Sequence, residues 1–386
     1  MNFSTRMIKG LMIVMMPLLF VPYGDAEIKK VHNGLEAIQK LEGKLQLELI
    51  QEWSREDEVD ENKIFYKPMD IAFNKEGDIL VLEANRIKVF TESGEYLRTI
   101  GQTGRGPGDF FDPDYLEIDE KNNIVVMDST NQRIQILNQE GEYQGGFPLG
   151  LNLIGSPIAI TQKNEILLLN RARTTEPTSL WILFDEKGQI MEERGERKST
   201  PSIHVTSRLY SFSFDLDKED NLYAVAHCRS LLQIYSSTGE LKIESTYEVP
   251  FEVPEIKMVG SGPMAYVEAE RVSWGMDIDG LGRIFVLALT RAQNSEEKMV
   301  GVRQGIMSRS GVLTELKVEY KVNPTSTDLY QIFVFDNSGK ILASKKINLH
   351  ANNIRVQKDK LYLIDTYINM KIYEYKFSIL EENLID

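Results

Sequence analysis

Five segments of this 386-residue chain share one short signature, and that recurrence limits its fold more than any other feature. "FTESGEY" from Phe90, "LNQEGEY" from Leu137, "FDEKGQI" from Phe184, "YSSTGEL" from Tyr235 and "FDNSGKI" from Phe335 follow one plan. A large apolar residue leads into mostly polar residues, a glycine, one more polar residue and an apolar one. Glycine ahead of a polar residue, between alternating apolar runs, marks a hairpin turn that needs a positive φ. A second pair of strands precedes each hairpin. "MDIAFNKEGDILVLEANRIKVF" and "DYLEIDEKNNIVVMDSTNQRIQIL" align without a gap up to their second turn. The frame recurs at "PIAITQKNEILLLN", "SFDLDKEDNLYAVA", "MDIDGLGRIFVLA" and "IRVQKDKLYLID".

Six inner-strand pairs with four antiparallel strands per unit predict an all-β fold, a six-bladed β-propeller. Only five glycine hairpins exist, because the chain stops soon after "KIYEYKF". The missing outer strand must come from elsewhere, and "LQLELIQEW" at Leu45–Trp53 fits it. An N-terminal strand would thus complete the last blade and close the ring, removing an open sheet edge.

The glycine run "GQTGRGPGDFFDP" at 101–113 first suggests a phosphate cradle. Such loops leave a strand and enter a helix whose amides hold the anion. Here Pro113 and "DYLEID" follow, another strand, so the run reads as the linker from one blade to the next. This linker, the strand ending in Asp128, and "NQRIQIL" with Asn131 and Arg133 resemble the NHL-repeat propellers. Blade one carries a contracted version at Glu83, Asn85 and Arg86; blade six has Asp365, Asn369 and Lys371. The likeness is sharp over about 68–147 and weaker elsewhere. It extends to the exported six-bladed propellers of many bacteria, and it implies the same fold, export and no particular activity. Glu83, Asp128 and Asp365 read as acids that knit their own turns through backbone amides and guanidinium groups.

Arg6 and Lys9, the apolar run "LMIVMMPLLFV" at 11–21, and small residues Gly24 and Ala26 describe a secretory signal peptide over 1–26. The run is too short for a good membrane span. We expect an exported, periplasmic or extracellular protein with a lead-in at 27–44, where Leu35, Ile38 and Leu41 have helical spacing. The propeller occupies 45–386, with an insertion at about 291–329 that carries an extra hairpin. The formal charge of −14 argues against a general nucleic-acid binder, though not against a local basic patch. A lone cysteine, Cys228, permits no intrachain disulfide and is expected to be buried.

Antiparallel alternation puts the turns joining first to second and third to fourth strands on one end of the ring. Those turns are short and polar. The turns joining second to third strands, and the linkers between blades, share the other end and vary in length, as functional loops do. There the chain gathers Arg171, Arg173, His204, Arg208, His227, Arg229 and Arg291 over blades three to five. Arginine forks in an acidic protein suit an anionic group, whether carboxylate, phosphate or acidic glycan. The expected function is a monomeric, non-catalytic binding module for a small anion, a glycan or a protein partner, with no required cofactor. The competing class is a metal-dependent lyase or lactonase-like hydrolase at the axial mouth. Its candidate ligands for a divalent metal would be His204, His227 and His350, although no HxH or HxxxH spacing supports them.

Overall fold

The computed structural model describes residues 28–53, 64–171, 174–260, 266–294, 300–307, 313–321 and 328–380. Six blades, each built on four antiparallel strands, follow one another around a ring. Their inner strands are Asp70–Phe73, Tyr115–Ile118, Ile158–Ile160, Phe212–Leu216, Ser273–Ile278 and Asn353–Gln357, each neighbouring the next until the sixth meets the first. The second strand of every blade is a near-continuous apolar run, for example Ile79–Leu82 and Ile284–Leu289. Such a strand is covered on both faces by adjoining blades, so alternation is lost there. The core is accordingly six apolar clusters, one per blade interface.

Closure follows the strand count. Leu45–Trp53 pairs antiparallel with Lys371–Ile379, from Leu45 opposite Ile379 to Trp53 opposite Ile372. Leu45 and Trp53 are buried in the two clusters that flank blade six. All five hairpin glycines, at 94, 141, 188, 239 and 339, adopt φ between 77° and 88°, where a side chain would be strained.

The lead-in does more than its helical spacing indicates. Lys29–Asn33 adds a fifth, parallel strand to blade four, pairing with Leu241–Tyr247. Buried Asn33 then donates to Ser245 Oγ and the Gly339 carbonyl and accepts from the Ile341 amide, stitching blade four to blade five. The helix Leu35–Lys40 buries Ile38 against that interface, and the chain passes on to blade six. Residues 29–53 therefore wrap the rims of three consecutive blades. The blade-five insertion forms the hairpin Val300–Met307 and Leu313–Lys321. The signal-peptide segment lies outside the described residues, and among these no helix is long and apolar enough to cross a membrane.

The glycine linker is a cradle of carbonyls. Arg133 donates to the carbonyls of Arg105, Gly106 and Asp109, and Asn131 donates to that of Gly104. A phosphate loop turns amides inward; this one turns oxygens towards a guanidinium. Asp128 completes the knot, accepting from the Phe111 amide, Asn131 and Arg133 at 2.8–2.9 Å. Glu83 does the same with the Tyr66 amide and Arg86, and Asp365 with the amides of Ile368 and Asn369.

Candidate functional site

The variable end of the ring is built by blades three to five. Arg171, just past strand Ile166–Leu169, donates to the Gly155 carbonyl at 2.7 Å and stays exposed. Arg197 ends strand Ile190–Arg197 fully buried, its guanidinium 5.9 Å from the Tyr210 ring. The linker to blade four folds into the helix Ile203–Leu209, because Ser202 caps it by accepting from the Val205 amide. This helix carries exposed His204 and Arg208.

His227 follows the second strand of blade four and holds two hydroxyls, Ser211 at 2.8 Å on Nδ1 and Ser213 at 2.9 Å on Nε2. Burial, then the charges of Arg271 and Arg171, push it well below the usual imidazole range, so it is neutral at pH 7. Next to it, Cys228 is buried and its thiol is pushed up by that burial. Arg229 lies over Phe212 and donates to the Leu209 carbonyl at 2.7 Å, and its buried Nε has no acceptor among the described residues.

Arg271 is the residue that sequence reasoning missed. It sits in the linker to blade five, where the Val272 amide donates to the His227 carbonyl. Its guanidinium stacks 4.0 Å from the Trp274 ring and makes one long bond, 3.3 Å, to the Ser273 carbonyl. Burial holds Arg271 and Arg229 below the ordinary guanidinium range. Among the described residues, Arg171, Arg208, Arg229 and Arg271 make no ion pair with any carboxylate. Asp114, near Arg171, instead accepts from Ser129 at 2.5 Å, and its burial raises it.

Two cavities open between these groups, on either side of the 203–209 helix. One, of about 330 Å³, is lined by Leu151, Ile154, Arg171, Arg197, Ile203 and Tyr210. The other, of about 310 Å³, is lined by Arg208, Cys228, Glu270, Arg271, Trp274 and Gln293.

The remaining candidates lie elsewhere. Arg291 does not join the cluster of uncompensated cations, because its guanidinium pairs with Asp328 at 2.9 Å. Arg173 lies outside the described residues. His204 is on the exposed helix, while His350 is buried edge-on to Tyr330. Among the described residues, no three His, Cys, Asp or Glu side chains converge to hold a metal ion, so the histidines do not form a triad.

A second charged centre lies deeper on the axis. Inner strands of blades one, two, four and five bring Asp70, Glu117, Asp215 and Asp277 around one cation, Arg355 of blade six. Arg355 grips Asp70 through Nε at 2.9 Å and a terminal nitrogen at 2.7 Å. It reaches Glu117 at 3.0 Å and Asp277 at 3.6 Å. Four acids share one guanidinium, and burial makes full ionisation costly. Burial pushes Glu117 up to about 8 and Asp215 up to about 6. It also raises Asp277, despite the opposing charge of Arg355. These residues could have been found from the repeat frame, which places Glu117, Asp215 and Asp277 at the same position of "YLEID", "SFDLD" and "GMDID".

A closed ring of six four-stranded blades, with a cation-rich loop face and a carboxylate-lined axis, defines a β-propeller with a candidate binding mouth. Within that class the chain belongs to the DUF5128 family of six-bladed β-propellers, whose model matches residues 60–266. A DUF4221 family protein of Bacteroides vulgatus shares the fold with a TM-score of 0.55 and 14% identity, over 87% of this chain and 99% of that one. A Bacteroides fragilis protein described as a candidate exported protein aligns with a TM-score of 0.53 and 11% identity, over 92% and 100%. The brain tumor protein of Drosophila melanogaster is 26% identical over 136 residues, which span 34% of this chain and 12% of that protein. At these identities the structural likenesses speak for the fold alone.

Proposed function

We propose that this protein is an exported, non-catalytic binding module that takes an anionic ligand on its loop-rich face. The observation that carries the reading is a set of four arginines on the loop face, Arg171, Arg208, Arg229 and Arg271, that have no carboxylate partner among the described residues. In a protein of net charge −14, acids were available in abundance to neutralise them. Cations left uncompensated and partly dehydrated attract anions more strongly than solvated ones. They sit on the turns, linker and short helix that the blade strands anchor, which limits the ordering needed on binding. Export by a signal peptide over 1–26, NHL-type blades and a monomeric state belong to the same reading.

The test is calorimetric titration of the mature protein with a panel of carboxylates, phosphates and acidic oligosaccharides. The combined variant Arg171→Ala, Arg208→Ala, Arg229→Ala should lose at least roughly tenfold in affinity for whichever anion binds, the scale of one charged hydrogen bond. Unchanged affinity in that variant would refute the mouth as the site.

A further inference from the structure

We infer that the cavity between Arg208, Arg271 and Trp274 is a receptor for a carboxylate group, borne by a small or chain-terminal monocarboxylic acid. This deepens the anion-binding reading and rests on it.

Three features of the cavity select that chemistry. The Arg271 guanidinium lies over the Trp274 ring, 4.0 Å from its centroid, a contact that restrains it while its nitrogens keep the planar donor fork. Its one hydrogen bond among the described residues, to the Ser273 carbonyl, is long at 3.3 Å, so these residues leave most of its donors unspent. A planar carboxylate matches such a fork with two parallel bonds. Trp274 also keeps its indole N–H buried with no acceptor among the described residues. A buried donor without a partner costs free energy that an incoming oxygen would relieve.

The third feature sets the charge. Glu270 shares the cavity wall, so a dianionic phosphate would meet repulsion that a singly charged carboxylate meets more weakly. At about 310 Å³ the space is at the small end of ligand sites, enough for a compact acid or the end of a longer one. Arg208, exposed on the rim, adds attraction on approach.

The cavity carries its own reporters. Trp274 is one of three tryptophans, and the others, Trp53 and Trp181, are buried among the blades. Cys228 lines the same cavity and is the sole cysteine, so alkylation of the chain reads its access alone. The experiment titrates the full mature chain with acetate, benzoate and glucuronate, with inorganic phosphate in parallel. It records tryptophan emission and the rate of Cys228 alkylation by iodoacetamide in mild denaturant. Expected is saturable quenching by at least one carboxylate, with Cys228 alkylation slowed about fivefold at saturation, the ratio that occupancy at several times Kd gives.

Arg271→Lys should weaken that binding about tenfold or more, since it keeps the charge and removes the fork. Trp274→Phe should remove the optical signal while protection of Cys228 persists at lower affinity. Lys358→Ala, on the opposite end of the ring, serves as the unaffected control. Carboxylate binding that is indifferent to Arg271→Lys overturns the inference. Phosphate binding without any carboxylate binding overturns it too, while sparing the broader anion reading. Failure of all four probes in folded protein, checked by circular dichroism, counts against both.

Discussion

Arg355 and Arg271 are two desolvated guanidiniums on neighbouring levels of one ring, and their surroundings are opposites. Arg355 is held by Asp70, with Glu117 and Asp277 close by, and four inner strands converge on it. Arg271 has an indole beneath it and a single carbonyl, with no carboxylate among the described residues. The lower centre has excess negative charge and the upper one excess positive charge. A fold optimising stability alone would have spread its acids between the two. Keeping them apart makes the lower cation a fastener between blades, while the upper one is the group on which the proposed anion site depends.

Identical substitutions should therefore have opposite signs. Arg355→Met strands carboxylates around an apolar side chain and should lower stability by about 3–5 kcal/mol, the cost of breaking a buried ion pair. Arg271→Met removes a dehydrated charge and forfeits only a cation–π contact, so stability should hold or rise by about 1 kcal/mol. Urea unfolding of both variants side by side measures the contrast. Equal losses would show that the two arginines have the same structural role.

Titration sharpens the same contrast with a smaller effect. Glu117 is raised to about 8 in the folded protein by burial, so the fold holds its proton more tightly than the unfolded chain does. The stability this contributes is complete below the unfolded carboxyl range, near 4, and is lost as pH rises through about 8. His227 has the reverse sense, because its depressed value adds stability above 6.5 and loses it as pH falls. Between pH 6.5 and 8.5 only the carboxylate slope remains. The urea midpoint should drop over that interval, and Glu117→Gln should flatten the drop. The smallest effect belongs to the exposed pair Arg291 and Asp328, where Arg291→Ala should cost less than about 1 kcal/mol and leave anion binding unchanged.

The blades were legible because hairpin glycines and apolar runs repeat locally, and Leu45–Trp53 followed from counting strands. Asp128, Asn131 and Arg133 were legible for the same reason, since all three act within one turn and its linker. The parallel strand Lys29–Asn33 was not, because its partner lies over two hundred residues away and five residues hold too short a pattern. The axial centre was hidden differently. Each of its acids looks like an ordinary polar position in an alternating strand until the blades are superposed. Arg271 sits in a linker with no period and Trp274 at the very start of the strand that follows, so only the path of the chain brings them beside Cys228 and Arg208. Arg291 passed for a free cation because Asp328, its partner, lies beyond the whole insertion.

The seam between Leu45–Trp53 and Lys371–Ile379 has a consequence for how the molecule comes into being. Joining segments more than three hundred residues apart carries a chain-entropy cost of about 5 kcal/mol, which the seam can meet only once the blades between them have stacked. Until Lys371–Ile379 is in place, Leu45–Trp53 has no partner in blade six, so the ring can close only after the intervening blades have formed.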